Sequence, residues 1–172
     1  MSGTIEGRVV RLGDDVNTDN ILPGPYLNLT DPAELGEHLL ETYDTEIAAR
    51  VQPGDVLVAG LNFGMGSSRE QAQVALQARG VAAIVAAGFA RIFLRNCINV
   101  GLPAIESPQA SAALRDGQTV RIDQAAGLIE CEGHSWQVPP QPPFLEELIG
   151  AGGLVPWVRR QLRDDTSRRT GR

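Results

Sequence analysis

The segment Gly60-Leu61-Asn62-Phe63-Gly64-Met65-Gly66-Ser67-Ser68-Arg69-Glu70 constrains this chain more than any other. An apolar run at 55–59, with Val56-Leu57-Val58-Ala59 as a buried strand, leads into it, and a helical pattern at 71–79 follows. A strand, a glycine-rich turn and a helix start bearing two hydroxyls and an arginine make an anion site. Glycines let the backbone approach a ligand closely. The unpaired N–H groups and dipole of a helix start favour negative charge. Arg69 can fork onto a carboxylate through two parallel bonds. Ser67 and Glu70 stand three apart, so they also predict a capping box with Ser67 as the N-cap, a reading that needs no ligand. Capping leaves the three glycines, the second serine and the arginine unexplained, and the two readings are compatible.

The flanking pattern predicts one α/β domain over 1–163. Thr4–Arg11 alternates as a strand, and 13–25 is a loop dense in Asp, Asn, Gly and Pro. Asp31-Pro32-Ala33-Glu34 is a helix start, with Leu35, His38, Leu39 and Thr42 as the inner stripe and His38 as a packing residue. The motif helix is expected over 67–79, closed by Gly80 in a left-handed conformation. Apolar strands follow at 81–86 and 102–105, with a helix at 90–99 between them. This strand–helix–strand–helix–strand order implies a parallel, right-handed crossover unit. After Asp116-Gly117, short strands at 119–123, 128–131 and 136–138 imply an antiparallel piece. Pro139-Pro140-Gln141-Pro142-Pro143 is a stiff connector to closing helices at 144–149 and 154–162. The charged segment 164–172 is expected to be a flexible tail.

Composition removes several function classes. The 172 residues carry a formal net charge of −6, against general nucleic-acid binding. No apolar run approaches the ~18 residues of a membrane span, and the first residues show no secretory apolar region, so a cytoplasmic location is expected. All 15 basic residues are arginine, which excludes lysine Schiff-base chemistry. Cys97 and Cys131 fit no C-x-x-C pattern, and two thiolates are too few for an ordinary iron–sulfur cluster. Cys97 reads as a buried apolar residue. His38 and His134 stand apart from both cysteines and from each other, so this chain is expected to hold no metal alone.

Gly-x-Asn-Phe-Gly-x-Gly-Ser-Ser-Arg-Glu resembles the swivel domain of the aconitase superfamily, and is most similar to the separate small subunits of the isopropylmalate dehydratase and homoaconitase group. Three further blocks agree in order: Asp15 to Pro23 around Asn17-Thr18-Asp19, Phe89 to Pro103 beginning Phe-Ala-Arg-Ile-Phe, and Pro143-Phe144-Leu145 with Gly152 to Val155. The resemblance spans about residues 5 to 160. It implies the swivelling β/β/α fold, a mixed sheet flanked by helices, in one subunit of a hydro-lyase of leucine biosynthesis. The [4Fe–4S] cluster would belong to a separate large subunit, the main partner. The substrate would be a small dicarboxylate or tricarboxylate.

The resemblance also implies site roles. Ser67 would be the base, as an alkoxide stabilised by backbone N–H donors, a helix start and cationic charge. Ser68 and Arg69 would hold a substrate carboxylate. Asp19 would orient the site, framed by Asn17 and Thr18; without the resemblance, Asn17-Thr18-Asp19 reads as an Asx-turn or helix cap. Tyr26, Leu27, Asn28, Leu29 and Thr30 would face the substrate side chain. This segment lacks the arginine by which relatives neutralise a further carboxylate, and Asn28 follows the Tyr-Leu pair where homoaconitase chains tend to carry arginine. An unpaired buried carboxylate is costly, so a branched apolar side chain is expected, unless Arg11 or a large-subunit arginine reaches in. Met65, Gln71 and Ala87-Gly88 depart from the family pattern and leave another alkylmalate open. The alternatives are a homoaconitase small subunit and, from a different class, a stand-alone anion-binding module.

Overall fold

The computed structural model describes residues 3–170, with side chains described through Arg163. Its centre is a seven-stranded mixed sheet. The strands are β1 (Thr4–Arg11), β2 (Val56–Ala59), β3 (Ala83–Ala86), β4 (Ala104–Glu106), β5 (Thr119–Asp123), β6 (Leu128–Cys131) and β7 (His134–Gln137). Their order is β4-β3-β2-β1-β5-β6-β7. The first four strands are parallel, as the crossover pattern predicts, and β5, β6 and β7 add on antiparallel. The hinge between the halves is β1, which pairs Val9 with Val56 on one side and Gly7 with Val120 on the other.

β2 and β3 are buried along their whole length. Strands covered on both faces read as continuous apolar runs, as these do. Adjacent residues feed opposite cores. Val10, Leu57 and Ile84 enter one with the helices α2 (Pro32–Glu37), α4 (Glu70–Ala78) and α5 (Arg91–Val100). Val9, Val56, Val58 and Val85 enter the other with Val120, Ile122 and Ile129 of the antiparallel half, under α6 (Pro108–Ala113). The remaining helices are α1 (Thr18–Ile21), α3 (Thr45–Arg50), α7 (Pro143–Gly150) and α8 (Leu154–Thr170). The backbone of 164–170 is helical, and 171–172 of the expected tail lie outside the described residues.

Three parallel strands end side by side. β1 runs out toward Asn17, β2 into Gly60, and β3 toward Phe89. In α/β sheets, ligands bind outside the carboxyl ends of parallel strands. The fold thus gathers the three motif segments at one edge, although they are far apart in sequence.

Candidate active site

Backbone bonds stitch the three segments together. The Thr18 and Gly64 N–H groups donate to the Met65 and Val16 carbonyls at 2.9 and 2.8 Å. On the other side, the Phe63 N–H donates to Gly88 at 2.9 Å and the Ala90 N–H to Phe63 at 2.9 Å. Phe63 is fully buried below the turn and meets Phe89 and Phe93 edge-on, with centroids 5.9 and 5.2 Å away. This aromatic floor requires the glycine above it. Gly64 has φ +78°, and a Cβ there would lie 2.1 Å from Phe93 Cγ.

The turn also corrects the expected helix start. Gly66 takes φ +103°, the chain bends at 66–67, and Arg69 is extended (φ −126°, ψ 114°). The first helical residue of α4 is therefore Glu70, and Arg69 is the N-cap without a side-chain cap. Ser67 lies two residues before that cap, so the predicted capping box does not form. Ser67 and Ser68 are exposed, and neither hydroxyl has a partner within the described chain. The serine proposed as a reactive group is free of structural duty.

A cleft of ≈330 Å³ opens above the turn. Thr18, Ser67, Ser68 and Arg69 line one wall, and Arg91, Ile92 and Asn96 of α5 line the other. Both α4 and α5 point their N-termini at it and neither carries a side-chain cap; Arg69 stands at the N-cap of α4, before the acidic Glu70, and Arg91 is the first residue of α5, whose first turn has no acidic residue. A cation at a helix start opposes the dipole by about 0.3–1 kcal/mol. At α5 an anion would relieve this conflict, whereas at α4 Glu70 and Asp19 already offset Arg69. Thr18 supplies a second sign of a ligand. It is 3% exposed, and its Oγ1 is buried without a hydrogen-bond partner among the described residues. Leaving such a group unpaired costs about 1–3 kcal/mol.

Arg69 Nη1 donates to Asp19 Oδ1 at 2.7 Å, joining the expected arginine to the expected aspartate. Asp19 is 62% exposed and Arg69 27%. The pair uses a single carboxylate oxygen, which leaves other guanidinium N–H groups for a ligand. Asn17 is committed elsewhere. Its side chain caps α1, accepting from the Asn20 N–H at 2.8 Å, while Asn20 Oδ1 accepts from the Asn17 N–H at 3.1 Å. The cap reading therefore holds for Asn17.

Tyr26, Leu27, Asn28, Leu29 and Thr30 do not line this cleft. The stretch Gly24–Asn28 forms a 3-10 turn on its rim, and a Cβ on Gly24 would lie 3.9 Å from Arg69 Nη1. Tyr26, Leu27 and Leu29 pack onto the core, while Asn28 and Thr30 are exposed. Arg11 is occupied, donating to the Ser111 carbonyl and, at 3.2 Å, to the Leu114 carbonyl of α6 and its cap. Arg91 and Asn96 are additions that sequence reasoning missed. The available signal was an arginine in the first turn of a helix, where the dipole disfavours it.

Cys97 and Cys131 lie in separate cores, 0% and 5% exposed. Burial pushes both thiols up, away from the thiolate that a metal needs. Among the described residues, no group of three or more His, Cys, Asp or Glu is placed to hold a metal. The chain's own donors therefore do not fit an iron–sulfur cluster.

Comparison with known proteins agrees with this geometry. The profile of the aconitase C-terminal domain matches residues 14–110, more than half of the chain. A 3-isopropylmalate dehydratase small subunit of Moorella thermoacetica is 53% identical over 161 residues, covering 92% of this chain and 97% of its own length. A second, from Methanopyrus kandleri, is 44% identical over 94% of this chain and 96% of its own. The crystal structure of 3-isopropylmalate dehydratase (leuD) from Methanocaldococcus jannaschii superposes with a TM-score of 0.89 at 41% identity, covering 96% and 99% of the two chains. The aconitase X of Thermococcus kodakaraensis, at 20% identity and a TM-score of 0.55, shares the fold alone.

Proposed function

From the premise that this chain belongs to the 3-isopropylmalate dehydratase small-subunit family, within the aconitase C-terminal domains, we infer that the Ser67–Arg69 cleft takes a carboxylate of a malate-type substrate and that Ser67 is the base in its dehydration. The family's members are small subunits of an iron–sulfur-dependent hydro-lyase of leucine biosynthesis, and work with a large subunit. The observation that carries the reading is the pair of uncapped, arginine-bearing helix starts facing one cleft beside an unpartnered threonine hydroxyl.

The chemistry follows from the placement. A carbon acid beside a carboxylate is weak, so the carboxylate must be fixed and its growing charge met. Arg69 and the first N–H groups of α4 hold one carboxylate, with Ser68 and Thr18 adding hydroxyl donors. Arg91 and the start of α5 meet the second. Ser67, as an alkoxide in this positive field, removes the proton next to the bound carboxylate. The electron pair becomes the new double bond as the hydroxyl leaves. Water returns in the opposite orientation, and Ser67 gives its proton back to carbon.

Among the described residues, no imidazole or carboxyl group lines the cleft. The departing hydroxyl is therefore served by the partner. We place the [4Fe–4S] cluster on the large subunit, since the donors of this chain do not fit one. The exposed Leu61, Met65 and Ile92 in the motif segments offer that subunit apolar contact. We infer that the 24–30 segment, on the rim of the cleft, faces the substrate side chain; it carries no cation, which favours an apolar side chain, the isopropyl group of 2- and 3-isopropylmalate. No helix among the described residues is long and apolar enough to cross a membrane, and we place the enzyme in the cytoplasm.

Arg69→Lys tests the reading. Lysine keeps the charge and loses the planar fork. With a large subunit supplied, kcat/KM for 3-isopropylmalate is expected to fall at least tenfold, about 1.4 kcal/mol of transition-state stabilisation. Unchanged kinetics would remove Arg69 from the substrate.

A further inference from the structure

The turn that presents Asn28 is poorly anchored by itself. It is a 3-10 turn of five residues, none of them fully buried. Such turns have weaker hydrogen-bond geometry than α-helices. Leu27 and Tyr26 pack it onto the core, and what Tyr26 meets is specific. The ring lies flat on His38, with centroids 3.5 Å apart and planes within 6°. His38 Nδ1 sits 2.9 Å from Glu41 Oε2. The Tyr26 hydroxyl faces the same Glu41 carboxylate, whose pull on the proton raises the phenol's pKa. Burial of Glu41 works against its ionised form, and the bonds from His38 and Tyr26 outweigh it, so its pKa is lowered.

The same segment reaches the catalytic side. Thr42 Oγ1 donates to the Asp19 carbonyl at 3.0 Å, and Asp19 holds Arg69. Between these two contacts, Leu40 is fully buried with φ +59°, and its N–H donates to the Ile21 carbonyl at 2.9 Å. A left-handed conformation is costly at a branched residue, and such strain gathers where a geometry has to be imposed. Residues 38–42 thus form a rigid strut touching both the turn and the Asp19–Arg69 pair. A packing histidine on a helix face explains neither the triad nor the strut. His38 in fact caps the C-terminus of α2, beyond its last helical residue.

We infer that His38 and Glu41 are specificity-setting positioning residues, which brace the ring and hydroxyl of Tyr26 and so fix where the 24–28 turn presents Asn28 to the substrate side chain. The inference rests on the reading above that this turn faces that side chain. Neither residue touches substrate. Their side chains are 28% and 34% exposed, so a contribution to global stability is small. What they control is a distance.

The test uses His38→Ala, Glu41→Gln and the stack-preserving His38→Phe, with two readouts. The first is amide hydrogen exchange of the free chain, comparing peptides over 24–30 with peptides over 56–59. The second, with a large subunit supplied, is the ratio of kcat/KM for 3-isopropylmalate to that for 3-methylmalate. His38→Ala and Glu41→Gln are expected to speed exchange at 24–30 and not at 56–59. They are also expected to lower the ratio at least about fivefold through KM, with kcat within about twofold, in the range that hydrophobic side-chain selection supplies. His38→Phe restores most of the ratio. Unchanged exchange at 24–30 would overturn the brace. Faster exchange with an unchanged ratio would overturn its role in specificity. If the wild-type enzyme turns over neither malate, the functional reading has failed, and the exchange measurement still decides whether the brace exists.

Discussion

Ser67→Ala separates two roles that one serine at a helix start can play. As an N-cap it would contribute about 1 kcal/mol. In a domain of this size, that corresponds to a fall in Tm of about 2–4 °C on removal. The structure removes that contribution. The helix begins at Glu70, the cap is Arg69, and the Ser67 hydroxyl is exposed with no partner in the described chain. An exposed substitution of this kind stays within about 0.5 kcal/mol, so a Tm shift of under about 2 °C is expected. Turnover behaves differently. A positioned acid–base group contributes about 10²–10⁴-fold to rate, and kcat for 3-isopropylmalate is expected to fall at least 100-fold with KM little changed. The assay is differential scanning calorimetry of the free chain alongside kinetics with a large subunit, following the near-ultraviolet absorbance of the unsaturated dicarboxylate. Activity within tenfold of wild type would refute the base assignment. A Tm loss of about 3 °C or more would refute the placement of the helix start.

Two further substitutions probe the turn and the substrate. Gly64→Ala combines a positive φ with a Cβ 2.1 Å from Phe93 Cγ, and is expected to cost about 2–5 kcal/mol from backbone and overpacking together. Gly117→Ala, with φ +83° and nothing within 4 Å of the added Cβ, carries only the backbone share of about 1–2 kcal/mol; equal Tm losses would show that the aromatic floor does not constrain the turn. Asn28→Arg adds a cation to a segment that has none. The kcat/KM ratio of homoaconitate to 3-isopropylmalate is then expected to rise about five- to thirtyfold, and an unchanged ratio in an assembled enzyme would mean that the turn does not select the side chain.

Much of this was legible in the residues, for reasons that differ by element. β1, β2, β5 and β6 follow from local alternation or apolar runs, and their ends match the structure. The start of α4 was misplaced because S-x-x-E is a local signal, while the left-handed Gly66 that overrides it answers to the strand edge below. α3 and α6 went unread, although Asp44 caps the first and Ser107-Pro108 opens the second, with the same signature that Asp31-Pro32 gives α2. The place of β1 between the two halves of the sheet was not legible, since its pairing with β5 joins residues more than a hundred positions apart. Arg69 and Ser67 announced themselves through composition of the turn. The link of Arg69 to Asp19, the commitment of Asn17 to a cap, and the approach of Arg91 from the second helix depend on the three strand ends lying side by side, which only tertiary structure supplies.

The central claim is that this chain brings carboxylate binding and a base to a partner that brings the means to expel hydroxide. It is tested most directly by mixing the purified chain anaerobically with a cluster-loaded 3-isopropylmalate dehydratase large subunit and following 3-isopropylmalate spectrophotometrically, with each chain alone as control. The account predicts formation of the unsaturated dicarboxylate and of 2-isopropylmalate only when both chains are present. Equal turnover by either chain alone, or none from an assembled pair, would contradict it.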